Sequence, residues 1–121
     1  MAAGTVVAMI AIIASMYGVD HQMMDCMVEA ESSYNIYAEN GIHKGLGQYN
    51  PNTFEWFMEM AQRDVAFIHA DVVVDDMTDP VSALTLMAWA IKNGYKDHWQ
   101  VTPLCEGDAL ERWEEEHAEG N

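Results

Sequence analysis

Residues 5–16, Thr-Val-Val-Ala-Met-Ile-Ala-Ile-Ile-Ala-Ser-Met, form an almost unbroken apolar run, the feature that most restricts how this 121-residue chain can fold. The run is well short of the roughly 18–20 residues that cross a bilayer. It also lacks the basic segment that opens a signal peptide. It is therefore read as a core helix, with Val6, Ile10 and Ile13 on one stripe and Gly18 as its C-terminal stop. The chain can supply the body that such a helix needs: 50% of its residues are hydrophobic, with ten methionines, four tryptophans and five tyrosines. A chain of this length makes one domain with a real core.

Helix punctuation recurs downstream. Asp20 is an N-cap candidate for a helix from His21 to about Ser33, where Ser32, Ser33 and Asn35 compete for backbone hydrogen bonds. Residues 34–50 read as loop, with Asn40-Gly41 the strongest turn signal and Lys44-Gly45-Leu46-Gly47 too flexible for a helix interior. Asn50-Pro51 opens a third helix carrying Phe54, Trp56, Phe57, Met58 and Ala61 to about Arg63. Trp56 and Phe57 are read as core aromatics, though one of them could line a cleft. Val72-Val73-Val74 fits a short strand, an irregular helix or a loop equally well. Asp71, Asp75, Asp76 and Asp79 lack the spacing and glycine of a calcium loop and read as solvated surface. Asp79-Pro80 starts another helix, with Leu84, Met87, Ala88 and Ile91 as its apolar stripe and Asn93-Gly94 as its end. From Glu106 the tail holds seven acids and one base, Arg112; Asp108 is its cap candidate, and Leu110 and Trp113 form its one apolar edge, a solvated appendage packed lightly on the body.

The chemistry concentrates on Glu29-Ala30-Glu31-Ser32. Met23, Met24, Cys26, Met27, Val28 and Ala30 recur at helical spacing, so an apolar helix carries two carboxylates near its end. Two residues apart they are separated by roughly 200° and cannot share a face. If one is solvated, the other points toward protein or a cleft. A glutamate against apolar walls has its pKa raised and can protonate a leaving oxygen near neutral pH. Glycines at 45 and 47 let backbone approach a ligand closely, and Gln48 offers donors and an acceptor; the same residues also suit a hairpin with no ligand.

Glu31-Ser32, then Asn35, Ala38, Gly41, Gly45-Leu46-Gly47-Gln48 and Pro51-Asn52-Thr53, resembles the Glu-Ser and Gly-Leu-x-Gln motifs of the lytic transglycosylases, the lysozyme-like family 23 glycoside hydrolases. The resemblance runs over about residues 6–99 and includes Tyr17-Gly18-Val19-Asp20 and Asp79-Pro80. It implies a mainly α-helical, lysozyme-like domain over residues 1–105, with a short β-hairpin or loop strip beside the catalytic helix and an acidic helix or tail over 106–121. It makes Glu31 the catalytic acid and base, with Ser32, Gly45, Leu46, Gly47, Gln48 and Tyr49 contacting substrate. The family's Ala-Tyr-Asn-Ala-Gly stretch is replaced by Ala88-Trp89-Ala90-Ile91 and then Asn93-Gly94-Tyr95, so Tyr95 from a shifted position, or Trp89, stands for its tyrosine. Trp99 resembles the family's late tryptophan, a packing residue.

The implied reaction cleaves the β-1,4 bond between N-acetylmuramic acid and N-acetylglucosamine in peptidoglycan, giving 1,6-anhydro products. A hydrolytic lysozyme is the close alternative, and Glu39 is the nearest candidate for the second acid it needs. A non-catalytic glycan-binding domain and a chitin-cleaving enzyme are weaker readings. The expected partner is a peptidoglycan strand, met by a monomer outside the cytoplasm or at the cell wall, with no export signal seen, no membrane insertion and no cofactor. Twenty acids against five bases, a net charge of −15, argue against nucleic acid. The same charge opposes an anionic wall unless salt screens it or solubility explains it. Cys26 and Cys105 are either two buried thiols or a disulfide adding on the order of 4 kcal/mol. His21, His43, His69, His98 and His117 make no metal-ligand pair.

Overall fold

A computed structural model describes residues 1–67 and 69–118 as five α-helices and one short hairpin. Helix α1, Ala3–Tyr17, buries Val6, Ile10, Ile13, Ala14 and Tyr17. It ends at Gly18, whose φ of 69° is the left-handed conformation that lets its N–H reach back to the last turn. Its outer face stays open, with Ile12 and Met16 exposed.

Helix α2, His21–Ser32, is capped by the Asp20 carboxylate, which accepts from the backbone N–H groups of Gln22 and Met23. Strands β1, Glu39–Asn40, and β2, His43–Lys44, pair antiparallel around the Asn40-Gly41 turn. Lys44 then exchanges backbone hydrogen bonds with Tyr49, folding the glycine strip back against β2. Helix α3, Pro51–Gln62, is capped by Asn50 and buries Phe54, Phe57 and Ala61. Residues 71–79 form turns and open coil with no strand: Val72 and Val74 are exposed, and Val73 and Met77 pack on the core.

Helix α4, Pro80–Lys92, is capped by Asp79 and buried on every side from Ser82 to Ala90. It packs against α1 and α3, and α1 packs against α2, so α4 is the axis of the core. Two 3-10 turns follow, Lys96–His98 and Thr102–Cys105. Cys105 is bonded to Cys26 of α2, clipping together positions 79 residues apart. Helix α5, Gly107–Ala118, then lies against α2 with Leu110 and Trp113 turned toward the core.

Candidate active site

Helix α2 ends one residue past Glu31, at Ser32. The Ser32 hydroxyl donates to the Val28 carbonyl at 2.9 Å, and Ser33 and Tyr34 both take left-handed backbone conformations, so the chain leaves the helix abruptly. Glu31 is left on the rim of a cleft of about 410 Å³. Ala30 and Glu31 form one edge; Asn40 and His43 enter from the hairpin; Gln48, Tyr49 and Asn50 come from the strip. Thr53 and Phe57 of α3, with His98, Trp99 and Gln100, close the remaining side.

Glu31 is the one carboxylate among the described residues that line this cleft. No hydrogen-bond donor within the described residues satisfies it. Burial pushes its pKa above the ordinary glutamate value, and the nearby His43 ring pulls it partly back. A carboxyl desolvated without compensating donors holds its proton to higher pH, which is the state a general acid needs.

The strip is pinned from its core side. The Gln48 carboxamide N–H group donates to the carbonyls of Ala38, at 3.1 Å, and Gly45, at 2.9 Å, holding a residue whose φ is 48°. The Tyr49 hydroxyl donates to the Ala83 carbonyl of α4 at 2.6 Å, and the Trp99 indole donates to the Gly47 carbonyl at 2.9 Å. Two glycines are sterically required: a Cβ on Gly45 would run into the Met77 carbonyl, and one on Gly47 would sit 2.5 Å from the Tyr49 ring.

The expected site residues therefore separate. Glu31, Gln48 and Tyr49 line the cleft, whereas Leu46 is fully buried in the core and Ser32 faces its own helix. Gly45 and Gly47 do not line the cleft; their carbonyls accept from Gln48 and Trp99 and hold the strip from behind. Glu39 is exposed on β1 and does not line the cleft. Tyr95 is also outside it. Its N–H bonds the Ala90 carbonyl beyond a left-handed Gly94, folding the ring back along Trp89 with centroids 6.0 Å apart. Trp89 itself is buried and donates to Asp64 at 2.8 Å.

Asn40, His43, Asn50, Thr53, His98 and Gln100 line the cleft without having been singled out as ligands. The available signal was position: His43 lies two residues before Gly45, and His98 precedes Trp99.

Glu29, on the opposite face of α2, is enclosed by partners. It accepts from the Trp113 indole at 2.9 Å and pairs with His117 Nε2 at 2.6 Å, while the Tyr34 hydroxyl, bonded to Asp25 at 2.6 Å, lies 3.4 Å away. The acidic tail thus docks on the back of the helix that carries Glu31.

A mainly helical body, a two-stranded hairpin and a cleft with a single glutamate beside a glycine strip define a lysozyme-like domain. The family model for the transglycosylase SLT domain matches residues 8–103, and the chain belongs to that family. No curated protein and no solved structure gives a match. Proteins with this domain act on peptidoglycan, typically with lytic transglycosylase activity and in the periplasm or outside the cell. No helix among the described residues is long and apolar enough to cross a membrane.

Proposed function

We propose that this protein is a lytic transglycosylase that cuts the β-1,4 bond between N-acetylmuramic acid and N-acetylglucosamine, with Glu31 as both acid and base. The observation that carries this reading is that Glu31 is the one carboxylate lining the cleft among the described residues: schemes with two carboxylates need a second one within about 5–10 Å, and Glu39 does not line the site. The protonated Glu31 gives its proton to the glycosidic oxygen as the C1–O bond breaks, releasing the 4-hydroxyl of the next sugar. The resulting Glu31 carboxylate takes the proton of the muramic acid's own 6-hydroxyl, whose oxygen closes on C1. The product is a 1,6-anhydro ring, no water is consumed, and Glu31 ends protonated as it began.

The remaining residues serve substrate placement. Both hydrogen bonds from the Gln48 amide go to the loop, which leaves its carboxamide oxygen for the N–H of an N-acetyl group. Gly45, Leu46, Gly47 and Tyr49 hold that wall, Ser32 secures the helix end, and Tyr95 supports the aromatic cluster behind Phe57. In this reading the enzyme works as a monomer outside the cytoplasm. No metal or cofactor enters the scheme.

Digestion of purified peptidoglycan by wild type and Glu31→Gln, at low and high salt, with mass spectrometry of the soluble fragments, tests the reading. Products lighter by one water than the hydrolytic ones, absent with the variant, are expected. Reducing-end products would replace this reaction with that of a lysozyme, and no products from folded protein at any salt would leave a glycan-binding domain.

A further inference from the structure

The four tryptophans are not used alike. Trp89, Trp99 and Trp113 each commit the indole N–H to a protein acceptor: the Asp64 carboxylate, the Gly47 carbonyl and the Glu29 carboxylate. The Trp56 N–H has no acceptor among the described residues, and Trp56 is 41% exposed where Trp89 and Trp99 are buried. Its ring is nevertheless fixed on three sides. Phe57 lies nearly parallel at 5.3 Å between centroids, Tyr95 is edge-on at 5.4 Å, and His98 is tilted at 5.3 Å. Two of these neighbours, Phe57 and His98, line the Glu31 cleft. Trp56 and the exposed His98 therefore extend the cleft wall outward as an aromatic shelf.

We propose that this shelf binds a further pyranose ring of the glycan strand, beyond the rings held at Glu31. The proposal rests on the glycan-cleaving reading of the cleft. A pyranose presents a face of C–H groups that packs on an aromatic ring, and hydroxyl and N-acetyl oxygens at its edge that accept from an indole N–H. Because three rings already hold Trp56, little side-chain freedom is lost when a sugar covers it.

The experiment uses the 15N-labelled 121-residue chain carrying Glu31→Gln, which prevents turnover. Its four indole N–H signals are followed by NMR during titration with a defined peptidoglycan tetrasaccharide and with the corresponding disaccharide. Trp56→Phe assigns the Trp56 signal, and Trp99 reports on the cleft. The expected result is that the tetrasaccharide moves both signals with one dissociation constant, while the disaccharide moves Trp99 alone. Trp56→Ala then weakens tetrasaccharide binding by about two- to twelvefold, the range of an aromatic contact, and Trp56→Phe largely restores it. In the otherwise wild-type enzyme, Trp56→Ala raises KM and leaves kcat in place. If Trp99 responds and Trp56 stays still, the shelf is wrong and the cleft reading stands. If neither responds, both fall; if Trp56 alone responds, its continuity with the cleft is refuted.

Discussion

Helix α2 carries two glutamates two residues apart, and the protein treats them in opposite ways. Glu29 faces α5, where an indole N–H and an imidazole meet its two oxygens at 2.9 and 2.6 Å. Glu31 faces the cleft with burial on one side and no donor among the described residues. The same carboxyl is thus held by hydrogen bonds on one face and, desolvated without them on the other, keeps its proton to higher pH. What separates them is the half-turn of helix between positions 29 and 31.

The largest test of that contrast exchanges the two acids in turn. Glu31→Gln should lower turnover of peptidoglycan by about 10²- to 10⁴-fold, the usual scale for a lost general acid, while the protein stays folded. Glu29→Gln should leave the cleavage chemistry in place, because its partners lie on the other face of α2. The mass-spectrometric fragment assay reads both variants.

Next in size is the clip beneath both residues. Cys26→Ser with Cys105→Ser should cost on the order of 4 kcal/mol, measured as a lower urea midpoint with a steeper slope, since the bridge closes a 79-residue loop that keeps the unfolded chain compact. A smaller loss, about 1–3 kcal/mol, is expected for Trp113→Ala, which removes one charge-assisted hydrogen bond and the ring stacked on His117 at 4.1 Å. If Trp113→Ala changes neither the urea midpoint nor the α5 helix signal, the docking face contributes nothing and the contrast between the two faces collapses.

The smallest effects are those of pH, and they have a shared sign with different windows. The Glu31 carboxyl is raised in the folded state, so the fold binds its proton more tightly than the unfolded chain does. Stability is therefore lost as pH rises from the ordinary value of about 4.5 through the raised one. Glu31→Gln should consequently be more stable than wild type at pH 7, with the gap closing below about 4.5 in thermal melts. At His117 burial pushes the imidazole down, but its bonds to Glu29 and the Trp113 carbonyl, with the charges of Glu29 and Asp25, outweigh this and leave its pKa raised. That raised value stabilises the fold fully below about 6.5 and ceases to do so as pH climbs through it. His117→Gln should flatten that part of the stability profile.

Activity offers a sharper version of the same test. The basic limb of the kcat/KM profile should follow Glu31, above the range of an ordinary carboxylate. His43→Gln removes the charge that partly offsets burial and should move that limb to still higher pH.

Much of the frame was legible because it depends on local rules. Asp20, Asn50 and Asp79 were readable as caps, and each accepts a backbone N–H in the first turn of its helix. Gly18 stops α1 and Asn40-Gly41 turns the hairpin for equally local reasons of backbone conformation. The motif order also pointed to the SLT family. Burial was less legible. Residues 5–16 are the most apolar stretch, yet α1 leaves Ile12 and Met16 exposed while α4, with Ser82 and Thr85 in it, is the helix enclosed on all sides. Hydropathy says how favourable burial would be, and position among the other helices says which faces are covered.

The site divides along the same line. Spacing around a helix set Glu29 and Glu31 on different faces from the sequence alone, because 100° per residue admits no other result. Which glutamate met a cleft and which met a tail was decided by tertiary structure: Trp113 and His117 reach Glu29 from 84 and 88 residues away. His43 and His98 were drawn to the cleft, and Tyr95 away from it, in the same way. Capping and periodicity act through covalent neighbours a few residues apart. The desolvation of Glu31 depends instead on what four separate segments place around one carboxyl, and only the packed chain brings them together.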